Sequence, residues 1–163
     1  MTTQNQTITK IADTFSINAI YARRLFHTAS KEHMFEDIAK LLEEKPKPFV
    51  KWVGGKRQLL KQFRDLGLYP PENFDPITNT FFEPFVGGGA VFFDLLPETA
   101  YLSDLNNELV VTYNVIKNDV ENLIKSLKKH KLDKEYFLKI RTQNPEKLSD
   151  LNTASRFIYL NRT

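Results

Sequence analysis

The sequence predicts an α/β domain preceded by a small helical appendage, and three observations predict this fold. First, residues 80–83 are β-prone and mostly apolar, as in a short buried strand. Second, the three consecutive glycines at 87–89 permit a sharp backbone turn, and a helix is predicted over 90–96. Third, residues 100–103 form a second short strand, and a helical period follows over 106–129.

The composition limits the class of protein. The 163 residues suffice for one domain, or one domain with a small appendage, and 13 phenylalanines favour a packed core. There is no cysteine and the three histidines lack metal-ligand spacing, so neither disulfides nor a metal site are expected. Without a long apolar run, we expect a soluble cytoplasmic protein. The net charge of +3 permits nucleic-acid contact without demonstrating it.

Residues 1–47 are predicted to be the helical appendage. Residues 8–26 have helix-turn-helix spacing, and Arg23 and Arg24 fall on the outer face of the second helix, where they could meet DNA phosphates. The alternative is a plain helical appendage whose arginines are solvated. A further amphipathic helix is predicted over 30–45.

A Lys-Pro-Lys-Pro linker at 45–48 marks the domain boundary, so the second domain is predicted over 48–163. Soon after it come Trp52, which is the only tryptophan, and a Gly-Gly turn. Lys56 then opens a helix over 56–66, where a basic residue opposes the helix dipole and is often placed to meet an anion. Trp52 could equally be a core residue.

The strand, glycine turn and helix around 87–89 would form a cradle for a cofactor that needs backbone donors. The alternative is a glycine-rich turn inside an α/β core. Asp104 ends the second strand, where a carboxylate can accept hydrogen bonds from ribose hydroxyls, or it could cap the following helix. The dinucleotide pattern G-x-G-x-x-G is absent, which favours another nucleoside-bearing cofactor over NAD.

The rest of the chain is predicted to be helical. Asn118-Asp119 could divide the period over 106–129 into two helices. The basic run at 125–131 is either solvated or in contact with phosphates. Two further helices are predicted over 133–141 and 148–160.

Four stretches, in this order and spacing, resemble the N-terminal half of the Dam-like, D12-class DNA adenine N6-methyltransferases. They are KWVGGKR at 51–57, FEPFVGGGAVFF at 82–93, SDLN at 103–106 and RFIYLNR at 156–162. The resemblance covers residues 48–163 and leaves 1–47 outside.

The resemblance implies a Rossmann-like α/β sheet, S-adenosylmethionine as cofactor and double-stranded DNA as partner, with the target adenine taken out of the base stack. It places Lys56 near the methionine end of the cofactor and Asp104 on the ribose. The implied cofactor-binding set is Trp52, Lys56, Glu83, Pro84, Phe85, Gly87, Gly88, Gly89 and Asp104.

The chain departs from the family's pattern because Asp-Pro-Pro-Tyr, the catalytic motif, does not occur in it. The N6 amine is a poor nucleophile, so a carboxylate and a carbonyl must accept its hydrogens while an aromatic ring stacks on the base. No residue can be assigned to these roles, and Tyr69-Pro70-Pro71-Glu72 does not replace the motif. We therefore expect an incomplete methyltransferase domain, inactive alone, which a complementary chain carrying the motif could complete.

The alternative to an enzyme is a regulatory module in which a DNA-binding appendage is fused to a nucleotide-sensing half-domain. This alternative predicts salt-dependent DNA binding by residues 1–45 alone.

Overall fold

A computed structural model describes Thr9–Lys10 and residues 46–163 of the chain. The strands in these parts are β1 (Thr9–Lys10), β2 (Thr80–Glu83) and β3 (Thr99–Leu102). The helices are α1 (Arg57–Asp65), α2 (Phe92–Leu95), α3 (Asn107–Leu127), α4 (Lys134–Arg141) and α5 (Asp150–Arg162), with a 3₁₀ turn at Pro145–Lys147. Helices combined with a small, partly parallel sheet confirm the predicted α/β class.

β3 is the central strand of the sheet, between β1 and β2. β2 and β3 are parallel, with Thr80 opposite Thr99 and Glu83 opposite Leu102, whereas β1 is antiparallel to β3. Parallel neighbours need a crossover connection, and this one contains the glycine turn and α2. Because the carboxyl ends of both parallel strands lie at one edge, the loops that follow Glu83 and Leu102 are neighbours.

Two clusters of buried apolar side chains form the core of the described residues. The first joins the sheet to α2 and the start of α3 and contains Val50, Val86, Phe92, Ala100, Leu102, Leu109 and Tyr113. The second lies between α3 and α5 and contains Val115, Leu123 and Ala154. Each fully buried Leu or Phe contributes roughly 1.5–3 kcal/mol. Since α3 contributes to both clusters, it holds α5 in a fixed position relative to the sheet.

The three longer C-terminal helices begin at side chains that accept hydrogen bonds from first-turn N–H groups. Asn106 caps α3, Asp133 caps α4 and Ser149 caps α5, at 3.1, 2.8 and 3.4 Å. The helix N-cap is therefore Asn106, and the alternative that Asp104 caps this helix is wrong. The carboxylate of Asp104 instead accepts the N–H of Asn106, one step before the helix.

α3 contains the predicted break, at which two helical segments meet. Asp119 has φ −148° and ψ 43°, which are not helical values, so the predicted division of this period into two helices is confirmed as a kink at Asp119. The lysines of the basic run beyond it are exposed, whereas His130 is half-buried.

Most of the predicted appendage lies outside the described residues, including the helix over 30–45. Thr9–Lys10, predicted as part of the first helix of the 8–26 region, instead form β1. Their backbone groups pair with Tyr101 and Leu102, which satisfies the edge of β3 that β2 leaves open. The domain boundary at 47/48 stays a prediction. Within residues 46–163, no helix is both long and apolar enough to cross a membrane.

Candidate functional site

The turn between β2 and α2 leaves no room for a side chain at two of its glycines. Gly87 and Gly89 have φ of +49° and +75°, in the left-handed region that favours glycine. A Cβ on Gly87 would lie 2.7 Å from Cδ1 of Trp52, and one on Gly89 would lie 2.6 Å from Oη of Tyr113. The turn therefore brings the indole and the phenol directly against its main chain.

Hydrogen bonds from two further elements fix the same turn. The N–H of Gly87 donates to Oδ2 of Asp104 at 2.9 Å, and the N–H of Asn106 donates to Oδ1 at 2.9 Å. The hydroxyl of Tyr113 donates to the carbonyl of Gly87 at 3.2 Å. Burial, reinforced by nearby carboxylates, raises the pKa of Tyr113 above its usual range, so the phenol keeps its proton. Asp104 thus lies at the glycine turn, where the sequence spacing put it.

A cavity of about 760 Å³ opens beside this turn. Six residues of the implied cofactor-binding set line it: Trp52, Lys56, Glu83, Phe85, Gly87 and Gly88. The other three, Pro84, Gly89 and Asp104, are adjacent to these in the fold but are not part of the described lining.

Trp52 both packs in the core and lies at the cavity. Its ring is partly buried and packs against the first core cluster, and it also lines the cavity. The N–H of Gly55 donates to its carbonyl at 3.2 Å, which closes the Gly-Gly turn before α1.

Lys56 and Glu83 form an ion pair on the floor of the site, with Nζ and Oε1 2.6 Å apart. The same ammonium donates to the carbonyl of Phe85 at 3.2 Å. Glu83 is only 8% exposed, and a buried carboxylate without a partner is costly, so Lys56 stabilises this end of β2. An ammonium has three donors, and among the described residues two acceptors contact this one, so a third donor could meet a ligand.

The rim of the cavity is basic. Lys51, Arg57 and Arg162 are exposed and line it, whereas Glu83 is the one carboxylate in the described lining and is already paired. This excess of positive charge favours a ligand that carries an anionic group such as a carboxylate. Within residues 46–163, no cluster of three or more His, Asp or Glu side chains could hold a metal ion.

Sequence reasoning missed three residues that shape the site: Tyr113, Asn161 and Arg162. The sequence identified Tyr113 only as an apolar position on one face of a predicted helix. The stretch at 156–162 was part of the resemblance, but no role was predicted for its residues. The side chain of Asn161 pairs with the backbone of Lys51 across 110 residues of sequence. No local pattern reports a contact of that separation, although the motif itself marked the segment.

The sequence model of the family described as D12 class N6 adenine-specific DNA methyltransferase matches residues 52–163. The type II methyltransferase M1.LlaDCHI of Lactococcus lactis subsp. cremoris is 42% identical over 122 residues, which are 71% of this chain and 40% of the relative. The type II methyltransferase M.MjaIII of Methanocaldococcus jannaschii is 38% identical over 133 residues, covering 72% of this chain and 45% of the relative.

A DNA adenine methylase of Vibrio cholerae is 32% identical over 123 residues, covering 73% of this chain and 42% of the relative. The chain thus spans less than half of the length of these relatives.

Proposed function

The chain belongs to the D12 class N6 adenine-specific DNA methyltransferases, and from this premise we propose that residues 48–163 form the Rossmann-like, S-adenosylmethionine-binding part of such an enzyme. The proposed reaction is methyl transfer to N6 of adenine in double-stranded DNA, in the cytoplasm. The observation that carries the proposal is the convergence of Trp52 and Asp104 on Gly87, beside a cavity of cofactor size.

The residues present fit this cofactor. When bound, S-adenosylmethionine supplies an electrophilic methyl group on its sulfonium. Trp52 offers an aromatic face, and Gly88 lets the main chain approach the ligand closely. The third donor of Lys56 and the basic rim would hold the carboxylate of the methionine end. Asp104 would accept ribose hydroxyls with the lone pairs that its two backbone donors leave open.

The groups that accept the hydrogens of the adenine amine are not assigned to this chain, because its 163 residues contain no Asp-Pro-Pro-Tyr. We propose that this polypeptide alone binds the cofactor without transferring the methyl group. A further segment carrying that motif, for example on a complementary chain, would supply the carboxylate, the carbonyl and the stacking ring for the flipped base.

Calorimetric titration of the chain with S-adenosylmethionine tests the cofactor proposal, with NAD as the comparison ligand. We expect saturable one-site binding of S-adenosylmethionine and none of NAD. A Trp52→Ala variant should bind more weakly, because the indole would no longer cover the turn. Binding of NAD in preference to S-adenosylmethionine would contradict the proposal.

A methyl-transfer assay on adenine-containing duplex DNA tests the proposed incompleteness. We expect no transfer by this polypeptide alone, and transfer once a polypeptide carrying Asp-Pro-Pro-Tyr is added. Robust transfer without that addition would show that acceptor groups are present in these 163 residues.

The names of the relatives favour an enzyme over the regulatory alternative.

A further inference from the structure

The last turn of α5 holds the segment that precedes Trp52. The N–H of Lys51 donates to Oδ1 of Asn161 at 2.7 Å, and Nδ2 of Asn161 donates back to the carbonyl of Lys51 at 2.8 Å. Nε of the adjacent Arg162 donates to the carbonyl of Phe49 at 3.1 Å. One amide side chain thus pairs both backbone groups of one residue, as a neighbouring strand would.

The hydrogen bonds from Asn161 fix the backbone of Lys51, the residue that directly precedes Trp52. Residues 49–56 form neither a helix nor a strand, so their backbone groups have no regular ladder to satisfy them. The direction in which Trp52 leaves the main chain depends on the backbone of Lys51. The ring then lies so close to Gly87 that a Cβ there would clash with it at 2.7 Å. A small rotation at Lys51 would therefore move the indole away from the turn.

We propose that Asn161 is a positioning residue for the candidate cofactor site: it fixes the backbone of Lys51 and thereby keeps Trp52 against Gly87. Asn161 itself is not part of the described lining of the cavity. The amide is suited to this role because it presents one acceptor and one donor side by side, which neither a carboxylate nor an aliphatic side chain does. The identity of the ligand in this inference rests on the proposed function.

The test uses the intact 163-residue chain and the fluorescence of Trp52, the only tryptophan. Asn161→Ala is compared with Asn152→Ala, which makes the same change at an exposed position near the other end of α5. Quenching by acrylamide, without ligand, reports the exposure of the indole in the folded protein. We expect stronger quenching in Asn161→Ala than in the wild type, and wild-type quenching in Asn152→Ala.

Affinity for S-adenosylmethionine is then measured by calorimetry on the same variants. We expect the Kd of Asn161→Ala to rise about tenfold, because an indole no longer held against Gly87 is less well preorganised to contact the ligand. Should this variant not fold, Asn161→Asp replaces it: the carboxylate still accepts from Lys51 N–H but cannot donate to its carbonyl, so quenching should exceed that of the wild type.

Wild-type quenching in the folded Asn161 variant would overturn the inference. Unchanged affinity would also overturn it, provided that the wild-type chain binds the cofactor. If the wild-type chain does not bind S-adenosylmethionine, the proposed function fails, while the quenching comparison still decides the role of Asn161.

Discussion

Gly87 is the residue on which the site converges, because three side chains from separate parts of the sequence contact it. Trp52 packs against its α-carbon, Asp104 accepts its N–H and Tyr113 donates to its carbonyl. A single hydrogen bond contributes only about 1 kcal/mol on average. Together the three contacts restrain this backbone, and such preorganisation lowers the cost of binding a small ligand.

The glycines of the turn are expected to differ in their tolerance of a methyl group. Gly87→Ala forces a Cβ into the left-handed region and against the indole, so it should lower the free energy of unfolding by about 1–3 kcal/mol. Gly88→Ala makes only contacts of 3.4 Å or more and should fold like the wild type. Urea denaturation of both variants measures this difference. Equal free energies of unfolding for the two variants would show that a Cβ at residue 87 does not strain the turn.

Asp104→Asn tests whether residue 104 must carry a carboxylate, or whether an amide of the same shape is sufficient. An amide has one acceptor oxygen for the two N–H donors of Gly87 and Asn106, so one hydrogen bond is lost. We expect a loss of about 1–2 kcal/mol in unfolding free energy and at least a roughly tenfold rise in the Kd for S-adenosylmethionine. Thermal denaturation and calorimetry give the two values. Wild-type affinity in this variant would exclude the proposed ribose contact.

At the scale of elements, α5 joins parts of the protein that are distant in sequence. It packs along α3 through the second core cluster, and its side chains reach both α4 and the segment before Trp52. Arg156 makes three of these connections. It donates to Glu108 in the first turn of α3 at 2.7 Å and to the carbonyls of Ile140 and Arg141, at the end of α4, at 3.1 and 3.0 Å.

Arg156→Ala should therefore destabilise the helical layer. It leaves Glu108 without its ion-pair partner and removes the side-chain donors to the carbonyls of Ile140 and Arg141, although the Ile140 carbonyl still accepts the N–H of Gln143. Because the Arg156 side chain is 11% exposed, solvent replaces these bonds poorly, and we expect a loss of about 2 kcal/mol in unfolding free energy. Arg141→Ala, at an exposed position of α4, is the matched control and should be neutral in urea denaturation.

His130 lies at the junction of α3, α4 and α5. Its Nδ1 is 3.0 Å from the hydroxyl of Tyr136, its Nε2 is 3.0 Å from Oγ of Ser155, and its ring stacks on Tyr159 with centroids 4.3 Å apart. The sequence placed this histidine in a basic surface run, but the aromatic contacts turn it inward. Burial lowers the pKa of His130 below its usual 6.5, because it disfavours the charged imidazole.

The stability of the protein should therefore fall as the pH is lowered below about 6.5. In that range the unfolded chain binds a proton at residue 130 that the folded protein does not accept, so protonation favours unfolding. Above the ordinary pKa of histidine both states are neutral there and the effect is absent. Thermal melts between pH 7.5 and 5 measure the slope. His130→Gln, with His27 and His33 kept, should flatten this slope. An unchanged slope would show that His130 does not cause it.

At the scale of the whole molecule, the candidate site is the place where sequence-distant segments are held together. The cavity is lined by residues that precede α1, by the glycine turn and by Arg162 at the end of α5. A ligand that contacts all three binds only the folded chain. Binding should therefore stabilise the entire described part, and not one loop alone.

S-adenosylmethionine at about 100 times its Kd is expected to raise the free energy of unfolding by about 2.7 kcal/mol. Thermal denaturation with and without the ligand measures the effect, and NAD at the same concentration should cause no shift. The shift should also shrink in Lys51→Glu, which reverses one charge of the basic rim and leaves the backbone hydrogen bonds of residue 51 possible. An equal shift with NAD would show that the cavity does not discriminate between the two nucleoside ligands.

Local chemistry explains why part of the site could be predicted. The glycines at 87–89 and the carboxylate at 104 are recognisable in the sequence, because each belongs to a short contiguous pattern: a strand-turn-helix unit and the end of the next strand. Lys56 was recognised at a helix start and Glu83 through the resemblance, but their ion pair was not predicted, since packing decides which charged side chains meet. The cap at Asn106 and the inward position of His130 were missed for the same reason. Each depends on which neighbouring group lies within hydrogen-bond distance in the folded protein.

Contiguous residues were sufficient to predict the α/β class, the family and the stretches around the candidate site, because strand runs, glycine turns and motif spacing are local properties. Three features became visible in the folded chain alone: Asn161 bonds to Lys51, Tyr113 and Asp104 both bond to Gly87, and basic side chains from distant segments surround one cavity. These contacts depend on the packing of α5 against α3 and of β2 beside β3. Packing depends on the whole chain, and a hydrogen bond between residues 110 positions apart depends on packing. No local sequence pattern encodes such a contact.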